Sequence, residues 1–150
     1  MPGDPGQEGG LMTHPNEDRL ERLVAARRRA AANPMDSEAH TEFGIVLAES
    51  GQRLQALDAF RRAIWLAPED PLAHQELALV YNTLEEWGLA TEHHLKAVLY
   101  GATDMATIFE LGWSALHDGD SFLETDAYKL IEEIGRQLIE VRIRDGKLEW

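Results

Sequence analysis

The side chains best suited to chemistry in this chain are its six histidines and its 27 acids. His40 and His74 stand 34 positions apart, and His93 adjoins His94. A helical zinc site of the His-Glu-x-x-His type places two histidines one turn apart on the same face, and no such motif occurs. The histidines are therefore expected to pack rather than to ligate, and neither a metal nor another cofactor is expected. The adjacent carboxylates Glu85-Glu86 and Glu132-Glu133 point in different directions on a helix, so they make no acid/base dyad and read as solvated surface. Asp118 and Asp120 flank Gly119 without the further oxygen donors of a calcium loop, which makes that stretch a turn. With no cysteine, thiol catalysis and Cys-based zinc sites are excluded. The sequence has no Gly-x-Ser-x-Gly elbow, no phosphate-binding glycine loop and no dinucleotide fingerprint, so an enzyme is not expected.

Charge narrows the partners. Across 150 residues, 14 Lys and Arg face 27 Asp and Glu, a formal net charge of −13. That excess repels phosphate backbones, and Arg27-Arg28-Arg29 is too small a cluster to reverse it, so nucleic acid is not an expected partner. No apolar run approaches the roughly 20 residues that span a bilayer, and Met1 to Pro15 lacks the basic and apolar regions of a signal peptide. A cytoplasmic protein without membrane insertion is the expectation.

Residues 1–15 hold Pro2, Pro5 and Pro15 with Gly3, Gly6, Gly9 and Gly10, and almost no large apolar side chains. Such a composition cannot offset its ordering entropy, which predicts a disordered tail ahead of a helical domain over 16–150. From Asn16 onward apolar residues recur at helical spacing, Gly or Pro interrupts them, and strict alternation is missing. The spacing predicts helices over 17–32, 37–50, 53–66, 71–84, 87–99, 104–117 and 122–142. Short connections make successive helices antiparallel neighbours.

The pattern also repeats. Phe43, Gly44, Leu47, Gly51, Ala56, Phe60, Ala63 and Pro68 recur 34 positions later as Leu77, Ala78, Tyr81, Glu85, Ala90, His94, Ala97 and Ala102. Small residues at matching places let helix backbones approach, and the aromatics fill the gaps between them. This arrangement resembles the tetratricopeptide repeat family. The resemblance implies an all-α, right-handed solenoid of antiparallel helix pairs with repeats over 37–70, 71–104 and 105–138. Arg19 to Pro34 resembles the second helix of a worn repeat. Leu111, Gly112, Ala115 and Gly119 open the third unit, and Ala127, Ile131 and Ile134 fit its second helix after a shift of about three residues. The last helix, with an apolar stripe of Phe122, Ala127, Leu130, Ile131, Ile134, Leu138 and Ile139, is expected to cap the array. His40 and His74 stand where the family usually has a large aromatic, and Glu85 stands where it has a turn glycine.

In that family the first helices of successive units line a concave peptide-binding face. Carried over, the resemblance implies a groove of Thr41, Ile45, Ala48, Gln75, Leu79, Asn82, Phe109, Trp113 and Leu116, with an acidic rim of Glu38, Glu42, Glu76 and Glu110. No groove position is Lys or Arg, unlike members that grip the carboxyl terminus of heat-shock proteins. Between Ala63 and Tyr128 there are 12 acids and one base, Lys96, a net of 1 − 12 = −11. The expected partner is a protein or peptide with apolar anchors and basic flanks. Three alternatives stand beside it. Phe109 and Trp113 could be core residues against the last helix. The chain could shield an apolar client segment, as small secretion chaperones do. It could also self-assemble, as a homodimer through the last helix or by seating Leu148-Glu149-Trp150 in a neighbour's groove.

Overall fold

The computed structural model describes residues 14–119 and, beyond them, Lys129, Glu132, Glu133, Arg136, Gln137, Glu140 and Arg144, each in helical conformation. Of the tail expected over 1–15, residues 1–13 lie outside the described residues, as do the apolar stripe of the capping helix and the Leu148–Trp150 segment, while Pro15 opens α1. Within them the chain forms α1 (Pro15–Ala32), α2 (Ser37–Glu49), α3 (Arg53–Leu66), α4 (Pro71–Thr83), α5 (Trp87–Leu99) and α6 (Met105–Asp118). The first six predicted helices match these closely, the one predicted over 122–142 falls mostly outside the described residues, and no described residue is in a strand.

Local signals with the repeat period start and stop these helices. Asp36, Asp70 and Asp104 stand just ahead of α2, α4 and α6, and each accepts backbone N–H bonds from the first turn of its helix. A carboxylate there satisfies orphan donors and meets the positive end of the helix dipole. Asp104 also accepts from the Thr107 hydroxyl at 2.7 Å, and this bond holds its carboxyl below the usual carboxylate range. The turn after each even-numbered helix passes through the left-handed region, at Gly51 (φ 78°), Glu85 (φ 59°) and Gly119 (φ 91°). Glu85 takes that conformation without glycine's freedom.

Each helix packs on its neighbour in the chain, and α4 also touches α2 and α6, so the even helices form a continuous inner layer and the odd helices an outer one. The two layers meet where α2 presses on α3. A Cβ built on Gly44 would lie 2.5 Å from the Phe60 ring, which is fully buried, so only glycine admits this approach. In the next unit Ala78 and His94 replace this pair, a larger small residue facing a smaller ring, and both are fully buried. The two histidines in the usual aromatic place tie each unit to the end of the one before. His40 Nε2 lies 2.9 Å from the Pro34 carbonyl, and His74 Nε2 lies 2.7 Å from that of Pro68. The result is an all-helical solenoid of packed helix pairs. No described helix is long and apolar enough to cross a membrane.

Two substitutions test these constraints by urea unfolding. Gly44→Ala forces the Phe60 ring from its place and is expected to cost about 1–3 kcal/mol, a typical overpacking penalty. Glu85→Gly relieves the left-handed residue and is expected to stabilise by about 1 kcal/mol.

Candidate functional site

The inner layer carries the residues singled out as a groove, and the structure sorts them into three groups. On α2, Thr41 is only 2% exposed and its hydroxyl donates to the Ser37 carbonyl at 3.0 Å, while Ile45 and Ala48 are half-buried against the core. On α4, Gln75, Leu79 and Asn82 are half-buried. On α6, Phe109 is 67% exposed and Leu116 75%, and with Trp113 they form an apolar stripe at helical spacing. Trp113 is partly committed to packing: its ring centroid lies 4.3 Å from that of His117, which also faces Trp87 at 4.6 Å. His117 Nδ1 is fixed against the Trp113 carbonyl at 2.8 Å. Phe109 and Leu116 are therefore the more open members of the stripe.

A polar contact joins α4 to α6. The Asn82 amide donates to Glu110 Oε2 at 3.2 Å and reaches His94 Nε2 of α5 at 3.2 Å. Burial pushes His94 down to about 4, so the ring is neutral at pH 7 and can accept from Asn82. Asn82 and Glu110 thus bridge α4 and α6.

The acidic rim is less uniform than the sequence implies. Glu38 is exposed. Glu42 is ion-paired with Arg29, and Glu49, one helical heptad further on, pairs with Arg22 at 2.9 Å. Glu76 is half-buried, and its burial, followed by the charge of Glu49, raises its carboxyl above the usual carboxylate range. Arg22 and Arg29 were not among the residues inferred for the site. They reach over from α1 and, with Glu38, Thr41, Glu42, Ile45, Asp70 and Leu72, line a shallow pocket of about 270 Å³. A sequence signal for them exists. The pairs 22–49 and 29–42 share one sum, the mark of two antiparallel helices with matching charges seven residues apart.

Among the described residues no group of three or more His, Asp and Glu side chains is placed to hold a metal ion. The inner layer thus carries an exposed apolar stripe on α6 and acidic side chains on α2, α4 and α6.

No protein-family model matches the chain, and no curated protein does. Its likeness is to solved structures. A crystal structure of MamA protein aligns with a TM-score of 0.68 and 18% identity over 88% of this chain and 68% of that one. A second crystal structure of MamA aligns with a TM-score of 0.66 and 19% identity, covering 81% and 71% of the respective chains. At this identity the likeness concerns the fold, and it supports the helical-repeat architecture.

Glu76 generates a prediction with a definite sign. A carboxyl raised by folding binds its proton more tightly in the folded state, so its contribution falls away as pH rises above the unfolded value. Glu76→Gln is accordingly expected to raise Tm at pH 7 and to give no gain near pH 4. Thermal unfolding of both proteins across that range checks this.

Proposed function

We propose that the chain is a non-catalytic, cytoplasmic interaction module of the tetratricopeptide type, which holds a peptide or partner helix against its inner layer. The observation that carries this reading is the stripe of Phe109, Trp113 and Leu116 on α6, exposed on the half of the chain with a net charge of −11. Large apolar side chains left in water on one helix face cost solvation that a partner recovers, and buried anchors of this kind supply most of the affinity in protein interfaces. The acids around the stripe favour a ligand with Lys or Arg flanking its own apolar anchors, because opposite charge speeds encounter and fixes register. Glu38, Glu76 and Glu110 are the rim members best able to take that role, since Arg29 already occupies Glu42. Ile45, Leu79 and Leu72 would extend the apolar floor toward α2.

The test uses a labelled synthetic helical peptide with Leu and Phe on one face and Lys at both ends, followed by fluorescence anisotropy. Phe109→Asp and Leu116→Asp are each expected to weaken binding by about tenfold or more, the loss of one hot-spot contact. Leu54→Asp, at an exposed position on α3, is expected to leave it unchanged. Raising salt to about 0.5 M should weaken wild-type binding as the acidic field is screened. Equal binding by all three folded variants would remove the α6 stripe from the site.

A further inference from the structure

The outer layer holds a second groove whose charge is opposite to that of the inner face. A cavity of about 560 Å³ opens between α1 and α3, with Leu20, Leu23, Val24, Phe43, Leu47 and Ala59 among its lining and Arg27 and Arg62 at its edge. Leu20 is 61% exposed. Asp58 also borders it but is drawn toward Arg61, at 3.6 Å.

The repeat itself explains why this space is open. Moving 34 positions along the chain turns Leu47 into Tyr81, Ala59 into His93, His40 into His74 and Arg27 into Arg61. At that second junction the space is filled by rings. Tyr81 stacks on His93 at 5.7 Å, His93 on His74 at 5.4 Å, and His74 meets Tyr100 at 5.4 Å. Arg61 caps the stack by donating to the Tyr81 hydroxyl at 3.0 Å. At the first junction Leu47 and Ala59 stand in place of the Tyr81 and His93 rings, while His40 keeps the place of His74. Arg27, the counterpart of Arg61, lines the cavity with no hydroxyl to meet.

The arginines divide in the same way. Those of α1 that face the inner layer, Arg22 and Arg29, are neutralised by Glu49, Glu42 and Asp36. Among the described residues Arg27 and Arg62 have no ion-pair partner; Arg62 lies over the Trp65 ring, 4.7 Å from its centroid. An apolar cavity bordered by two guanidinium groups suits an aromatic ring with an acceptor oxygen and carboxylates beside it, since guanidinium binds carboxylates in a fork and also donates to a phenol oxygen.

We propose that the α1–α3 groove is a docking site for an acidic segment of a partner protein. A tyrosine of that segment fills the space that Tyr81 and His93 fill at the second junction and places its hydroxyl against Arg27. Flanking carboxylates meet Arg62. The chain would then hold ligands of opposite charge on its two layers.

The full chain is titrated against a labelled peptide, acetyl-Glu-Glu-Tyr-Leu-Glu-Glu-amide, by anisotropy, with amide chemical shifts locating the contact. Saturable binding with shifts on α1 and α3 is expected, and replacing the peptide's tyrosine by alanine should weaken it by about tenfold. Leu47→Tyr with Ala59→His rebuilds the second junction's stack, and is expected to abolish binding while Tm holds or rises. Arg27→Glu, a surface change that does not touch the core, is expected to weaken binding by about tenfold without moving Tm. Phe109→Asp should leave this peptide's binding intact, which separates the outer groove from the inner one. The proposal is overturned if the peptide does not bind, if the filled variant binds as well as wild type, or if the shifts fall on α4 and α6. It is equally overturned if another occupant holds the groove: a second copy, seen as mass that rises with concentration and falls on filling the cavity, or the chain's own first 13 residues, seen as binding gained only on deleting them.

Discussion

The architecture depends on how closely two helices can approach. Where Gly44 meets Phe60 the backbone of α2 comes within contact of an aromatic ring, and the hydrogen in place of a methyl group sets the distance between layers. That distance then sets everything above it. The inner layer is continuous because α4 touches both α2 and α6, and the outer layer is spread because its helices are held at the far side of the same contact. The second unit reaches a similar spacing by another route, adding a methyl at Ala78 and subtracting ring volume at His94. Volume is conserved across the pair while its chemistry changes, and the change has a consequence: His94 gives the inner layer a nitrogen that engages Asn82.

Electrostatics divides the molecule along two directions. Along the chain, acids accumulate in the second and third units. Across it, the arginines of α1 are used up by α2 on the inner side and left over on the outer side. The ion pairs are exposed, so each contributes little to stability. Their effect is selective: they quench part of the inner rim near α2 and leave the acidic field concentrated toward α6, where the open apolar stripe lies.

Much of the fold was legible because its signals are local and periodic. Helix ends follow from Pro and Gly positions, and the pairing of helices from small residues at fixed spacing. The aspartate caps at Asp36, Asp70 and Asp104 carry the same period, and could have been found by asking what satisfies the first turn of each helix. The site was legible only in part. A repeat register shows which helix a residue joins, and Ile45, Leu79 and Phe109 lie on α2, α4 and α6. It does not show what a long side chain from the previous helix does, so Arg29 over Glu42 went unseen. Nor does it show that Thr41 turns its hydroxyl back on Ser37, or that Trp113 shares its ring with His117. The open first junction becomes visible only when two copies of one position are compared in space, ring against missing ring.

The short-range contact pattern also governs how the chain finds and leaves its structure. Helices that pack on adjacent or next-but-one helices close short loops, which lose little chain entropy, and proteins built this way fold in about milliseconds or less. In such a linear array each element is held only by those beside it. Helix α1 packs substantially on α2 alone, across a junction with a cavity in it, whereas α4 is held by α2, α3, α5 and α6. Unfolding therefore has a direction. Among the described helices α1 has the least packing to lose, so local opening is favoured there over α4.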